Sequence, residues 1–99
     1  MTAAHMSLPA TLTQAQAALV SHELETAIAN QQGTFVLDTS AIQSFDSSAL
    51  AVLLGACRAA ARQRVPLQIT GLPARAAQLA ALYGLTDILS AHLTAQTAN

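Results

Sequence analysis

Charge is what this 99-residue sequence has least of: charged residues make up 9% of it, and lysine is absent. Four arginines against five acids leave a formal net charge of −1. A nucleic-acid partner calls for a row of cations that displaces counterions from several phosphates, and no such row is present. Cysteine occurs once, at Cys57, which excludes an internal disulfide and fits a reducing, cytoplasmic compartment. No apolar run approaches the roughly 18 residues of a membrane span. Met1 to Ala10 lacks the charged start and apolar centre of a secretory signal. The expectation is a soluble, uncleaved chain with no direct membrane insertion.

The few charges are unevenly placed. Residues 1–50 hold Glu23, Glu25, Asp38 and Asp46 and no base, whereas residues 51–99 hold Arg58, Arg62, Arg64 and Arg75 with Asp87, giving −4 against +3. So little charge gives weak protection against association, which points to a standing partner. Hydrophobic residues reach 53%, but 23 of them are alanine, so the core has to come from Leu, Ile, Val and Phe. The length fits a single domain over residues 1–99, with 1–6 and 95–99 expected to fray.

Periodicity divides the chain into alternating strands and helices, with no linker and no internal repeat. "SLPATLT" (residues 7–13) reads as a short strand or extended lead, and Pro9 pushes it toward a sheet edge. Thr13 and Gln16 have the spacing of a capping box, and Ala17, Val20, Leu24, Ala27 and Ile28 follow at helical intervals, which predicts a helix from about Gln14 to Gln31 ended by a left-handed Gly33. "TFVLD" (34–38) is short, apolar and β-prone between two helices, as a buried central strand would be.

"FDSSALAVLLGACRAAARQR" (45–64) sets Leu50, Leu53, Leu54, Cys57 and Ala61 on one face, with arginines near the end where the helix dipole favours cations. "VPLQITG" (65–71) is a further strand. After Pro73, a third helix carries Ala76, Leu79, Leu82 and Tyr83 inward and stops at Gly84. A last short helix, capped by Thr86 or Asp87, precedes a frayed tail. The predicted fold is α/β: a small, mostly parallel sheet of 3–4 strands with about four helices packed on it by right-handed crossovers.

Between the two apolar runs of "VLDTSAIQSFDSSALAVLL" (36–54) lie five hydroxyl side chains and two aspartates. Two readings stand. Asp46 or Ser47 caps the helix and the rest are turn residues. Alternatively, since one cap suffices, the surplus hydroxyls form a surface for a partner, at the sheet edge where binding sites gather. A phosphate added there would meet free N–H groups but also the repulsion of Asp38 and Asp46.

Other chemistries lack their parts. A serine hydrolase needs an activating base, yet no G-x-S-x-G elbow is present and His5, His22 and His92 are scattered. The histidines and Cys57 do not have metal-ligand spacing, and Cys57 falls on the apolar face as a small buried hydrophobe. No glycine-rich phosphate loop of the G-x-x-x-x-G-K type occurs. Arg58 and Arg62, one turn apart on the helix that starts at the polar stretch, are the best charged candidates for a partner contact. Neither catalysis nor a cofactor is expected.

"FVLDTSAIQSFDSSALAVLL" followed by "PLQITGLPARAAQLAALYGLTDIL" resembles the STAS domain family over Leu8 to Leu89. The hallmark is a strand ending in Asp-x-Ser, then Asp-Ser-Ser-Gly-Leu opening a helix. Here these are Asp38 and Ser40, then Asp46, Ser47, Ser48, Ala49 and Leu50, with Ala49 in the glycine position. Ala49 adds a methyl where a partner's backbone would approach.

The resemblance implies a non-enzymatic interaction domain. Ser48 matches the serine phosphorylated in anti-sigma-factor antagonists, and Ser47 matches a Ser or Thr at the partner interface of transporter-associated relatives. Within the family the sequence is most similar to MlaB-type free-standing subunits of phospholipid ABC transporters. That likeness implies a cytoplasmic clamp on an ATPase subunit (MlaF-like) within a larger permease complex, through Ser40, Asp46, Ser47, Ser48, Leu50 and Arg58. The alternative is an antagonist switched at Ser48 or Ser47 by an anti-sigma serine kinase.

Overall fold

In the computed structural model, which describes residues 4–93, five strands and four helices alternate along the chain. They are β1 (Ala4–Ser7), β2 (Thr11–Leu12), α1 (Gln14–Ala29), β3 (Phe35–Asp38), β4 (Ser44–Phe45), α2 (Ser47–Gln63), β5 (Leu67–Thr70), α3 (Ala74–Leu82) and α4 (Thr86–Ser90). The three longer strands form a parallel sheet in the order β1-β3-β5, so β3 is central as its apolar sequence requires. The dipeptide strands β2 and β4 pair, also in parallel, as a separate two-stranded sheet.

Strand register explains which face is buried. Phe35 and Leu37 of β3 lie beside Leu67 and Ile69 of β5, all in the core. Alternation sends the intervening residues to the other face, where His5, Val36 and Gln68 form one row and Ser7, Asp38 and Thr70 the next. Val20, Leu24 and Ile28 of α1 and Leu50, Leu53 and Cys57 of α2 close the core from the helical side.

The first two thirds of the chain repeat one arrangement, strand, dipeptide strand, helix, as β1-β2-α1 and then β3-β4-α2. No sequence repetition accompanies it. Pairing of β2 with β4 brings the starts of α1 and α2 together, and the two helices pack along each other.

Several sequence expectations are corrected. The first extended segment is two strands, and β1 already includes Ala4 to Met6, because pairing with β3 fixes residues expected to fray. Residues 95–99, expected to fray as well, lie outside the described residues. Gly33 is not left-handed; α1 ends at Asn30, whose side-chain amide donates to the Thr26 carbonyl at 3.0 Å. On α2 the buried stripe runs through Ala49, Val52, Ala56, Ala59 and Ala60 as well, while Ala61 is exposed.

Helix α3 keeps two of the four residues expected inward, the buried Ala76 and the partly buried Leu79, and is corrected at Leu82 and Tyr83. Its buried residues are Ala76 and Ala80, whereas Leu82 is 82% and Tyr83 58% exposed. Ala76 and Ala80, one turn apart, take the core-facing side of the helix together with the partly buried Leu79. Leu85 is the N-cap of α4 and no side chain caps the helix, so neither Thr86 nor Asp87 has that role.

Candidate functional site

The ends of β3 and β5 and the starts of α1 and α2 frame the polar stretch. At the end of β3, Thr39 is fully buried, and its N–H and hydroxyl both donate to the Thr70 carbonyl at 2.8 Å. Thr39 is thereby a structural clip between strands. Its neighbours turn outward: Asp38 Oδ1 accepts the Ser40 N–H at 2.9 Å and the Ser40 hydroxyl at 2.7 Å. The Ser40 N–H, then its hydroxyl, hold the Asp38 carboxyl below its ordinary range, with a smaller contribution from nearby His5.

Ser40 is exposed, and Gly71 backs it. Gly71 has φ +70°, and a β-carbon placed on it would lie 2.7 Å from the Ser40 Cβ. Only glycine combines that backbone with that approach.

The mouth of α2 is a second polar unit. Asp46 is the N-cap in extended conformation, and its Oδ1 accepts the Ser48 N–H at 2.8 Å. The other oxygen, Oδ2, accepts the N–H of Gln14, the first residue of α1, at 3.3 Å. One carboxylate thus caps both helices, which the pairing of β2 with β4 makes possible. The Ser48 N–H, more than that of Gln14, keeps the Asp46 carboxyl below its usual range. Across the same junction the Thr13 N–H and hydroxyl donate to Gln16 Oε1, each at 2.9 Å, so the predicted reach of Gln16 back to its cap is present.

Ser47 stands clear of this network. It is exposed, and its hydroxyl has no hydrogen-bond partner among the described residues. Ser48 is half-buried beside Asp46. Ala49 is in the core, so its methyl is not displayed at the surface.

Leu50 is corrected: at 2% exposure it supports the surface from beneath and offers no contact of its own. Arg58 is exposed on the outer stripe of α2 that continues from Ser47 through Ala51 and Leu54 to Arg62. It lies roughly 16 Å along the helix from Ser47 at 1.5 Å per residue. The structure therefore gathers Asp46, Ser47 and Ser48 within one turn, sets Ser40 in a neighbouring loop unit, and places Arg58 at the far end of a shared face.

Sequence reasoning missed Phe45 and Arg75. Phe45 ends β4 immediately before the Asp46 cap, and the Arg75 guanidinium lies over its ring at 5.6 Å from the centroid. The available signal was an aromatic residue directly preceding a helix cap, together with the spacing of Arg75, Gln78 and Leu82 on one face of α3.

Among the described residues, no histidine is hydrogen-bonded to these hydroxyls. His5 and His22 are exposed on β1 and α1, and His92 Nδ1 lies 3.2 Å from the Leu67 carbonyl. Among the described residues no group of three His, Cys, Asp or Glu is placed to hold a metal ion, and no helix is long and apolar enough to cross a membrane. What the arrangement offers is a capped helix mouth that presents the exposed Ser47 hydroxyl, with the half-buried Ser48 beside the Asp46 carboxylate.

A family model described as "Mlab, STAS domain" matches residues 2–93, nearly the whole chain. The chain belongs to the STAS domain family. Among solved structures it is similar to that of a sulfate transporter family protein from Wolinella succinogenes, with a TM-score of 0.74 over 92% of this chain and 75% of that one. At 13% identity the likeness establishes the STAS fold alone. Comparison with curated proteins gives no match. As a STAS domain, the chain is a small interaction and regulatory module, in a family that is generally non-catalytic.

Proposed function

We propose that this STAS domain is a regulatory and stabilising subunit that binds the cytoplasmic, MlaF-like ATPase of an ABC-type phospholipid transport system maintaining outer-membrane lipid asymmetry. It takes no part in catalysis and reaches the inner membrane only through that partner. The observation that carries this reading is the exposed Ser47 hydroxyl, without a hydrogen-bond partner among the described residues, at a helix mouth whose Asp46 cap also binds α1, in a chain matching the MlaB family model. A pre-formed polar knob on a rigid frame loses little conformational freedom on docking, which favours a standing complex. Ser40, Asp46, Ser48 and Arg58 surround or extend the contact.

The geometry favours this reading over a phosphorylation switch. Asp46 already takes the Ser48 N–H that would cradle a phosphate, and its charge opposes a second anion at the same place. The test is co-expression with an MlaF-like ATPase from the same genome. The proposal expects the two to elute together in size exclusion and the ATPase to melt at a higher temperature in the complex. Separate elution at micromolar concentration contradicts it.

A further inference from the structure

Phe45, Arg75, Gln78, Leu79 and Leu82 line a groove of about 250 Å³ between the end of β4 and the outer face of α3. Its makeup reverses that of an ordinary surface helix. Ala76 and Ala80 of α3 go inward while Leu82 is left 82% exposed, at the same side as Arg75 and Gln78. A solvent-facing leucine beside an aromatic ring marks a surface that gains by being covered.

The charge of the groove is equally one-sided. Arg75 is its one ionised side chain, and the Phe45 ring holds the guanidinium by a cation–π contact. Stacking leaves the N–H fork at the edge of the guanidinium plane free to meet a carboxylate in two parallel bonds. No salt bridge or hydrogen bond ties Arg75 to another described residue. Phe45 is also the residue before Asp46, so the groove begins where the α2 mouth ends.

We propose that this groove receives an amphipathic helix of the partner protein. An apolar side chain of that helix lies against Leu79 and Leu82, and an Asp or Glu one turn away pairs with Arg75. The inference rests on the reading of the α2 mouth as a docking surface, and adds a second contact with a stated chemistry. An anchor in a groove with a flanking charge is how helix-in-groove recognition divides affinity from register. The acid follows from the sign and planar geometry of Arg75, the apolar anchor from Leu79 and Leu82.

The experiment measures affinity of the full chain for a purified MlaF-like ATPase from the same genome by calorimetry, with Arg75→Glu, Arg75→Lys and Ser47→Arg as variants, each checked for an unchanged melting temperature. Arg75→Glu should weaken binding by about tenfold or more, and Arg75→Lys by less because it keeps charge without the fork. A photo-crosslinking residue in place of Leu82 should capture an ATPase helix with Asp or Glu three or four positions from an apolar residue. Equal affinity of wild type and Arg75→Glu, or crosslinking only to a second copy of this chain, overturns the inference. If Ser47→Arg abolishes binding while Arg75→Glu leaves it intact, the groove fails and the α2 docking surface stands. Absence of binding by the wild type removes both.

Discussion

The N–H of Gln14, at the start of α1, donates to Oδ2 of Asp46, the N-cap of α2, at 3.3 Å across 32 residues of sequence. An ordinary cap serves its own helix; this one joins two. Asp46→Ala should therefore lower the melting temperature and also speed amide exchange in the first turns of both α1 and α2. Asp46→Asn, which keeps one good acceptor, should fall between. Loss of protection in α2 alone would show that the bond to Gln14 contributes nothing.

Stability should carry an acid-side signature. Asp38 and Asp46 both have carboxyl pKa values below the ordinary 3.8, held down chiefly by the N–H groups of Ser40 and Ser48. A depressed folded-state value means the unfolded chain binds protons first as pH drops. The stabilisation is complete above the ordinary carboxylate range and is lost as pH falls through the lower, folded values. Urea denaturation from pH 6 to pH 2.5 should show a decline starting near pH 4, shallower in the Asp38→Asn, Asp46→Asn double variant. Equal slopes would contradict the assignment.

Gly71 sets the position of Ser40. Gly71→Ala combines a left-handed φ of +70° with a β-carbon 2.7 Å from the Ser40 Cβ. Left-handed backbone alone costs about 1–2 kcal/mol in an L-residue, and the contact has to be relieved by moving the Ser40 loop. Denaturation should show a loss of at least that size, and amide resonances of Asp38 to Ala41 should shift. At Gly84, φ +72° is matched by open space, so Gly84→Ala should cost the backbone part only.

Cys57 is 7% exposed in the core, and burial pushes its thiol pKa up. The native protein should react with a thiol reagent far more slowly than the urea-unfolded chain at pH 8. Cys57→Ala should cost on the order of 1 kcal/mol, as removal of one small buried group does. Rapid native labelling would mean that α2 opens from the core.

Much of this architecture is legible in the sequence because each element has a strong local cause. The apolar run at Phe35 to Leu37 announces the central strand, Thr13 and Gln16 mark the start of α1, and Asp46 marks that of α2. What the sequence hides is non-local. Pairing of β2 with β4 involves two residues on each side, too few for a pattern, yet it places Gln14 beside Asp46. Spacing places Ala76, Leu79, Leu82 and Tyr83 inward, but Ala80 is buried beside Ala76 while Leu82 and Tyr83 stay exposed, a rotation of the buried stripe that only the docked helix shows. At the candidate site, the motif residues are visible in the chain, while the buried place of Leu50 and the stacking of Arg75 on Phe45 depend on the tertiary fold.

Ser47 is where the account is most exposed to test. Calorimetric titration of an MlaF-like ATPase from the same genome with the wild-type chain, with Ser47→Arg, and with Gln32→Arg at the opposite end of the sheet decides it. The account predicts unchanged melting for Ser47→Arg, binding weakened by roughly a hundredfold as at a disrupted interface centre, and wild-type affinity for Gln32→Arg. Full affinity of the Ser47→Arg chain would contradict it.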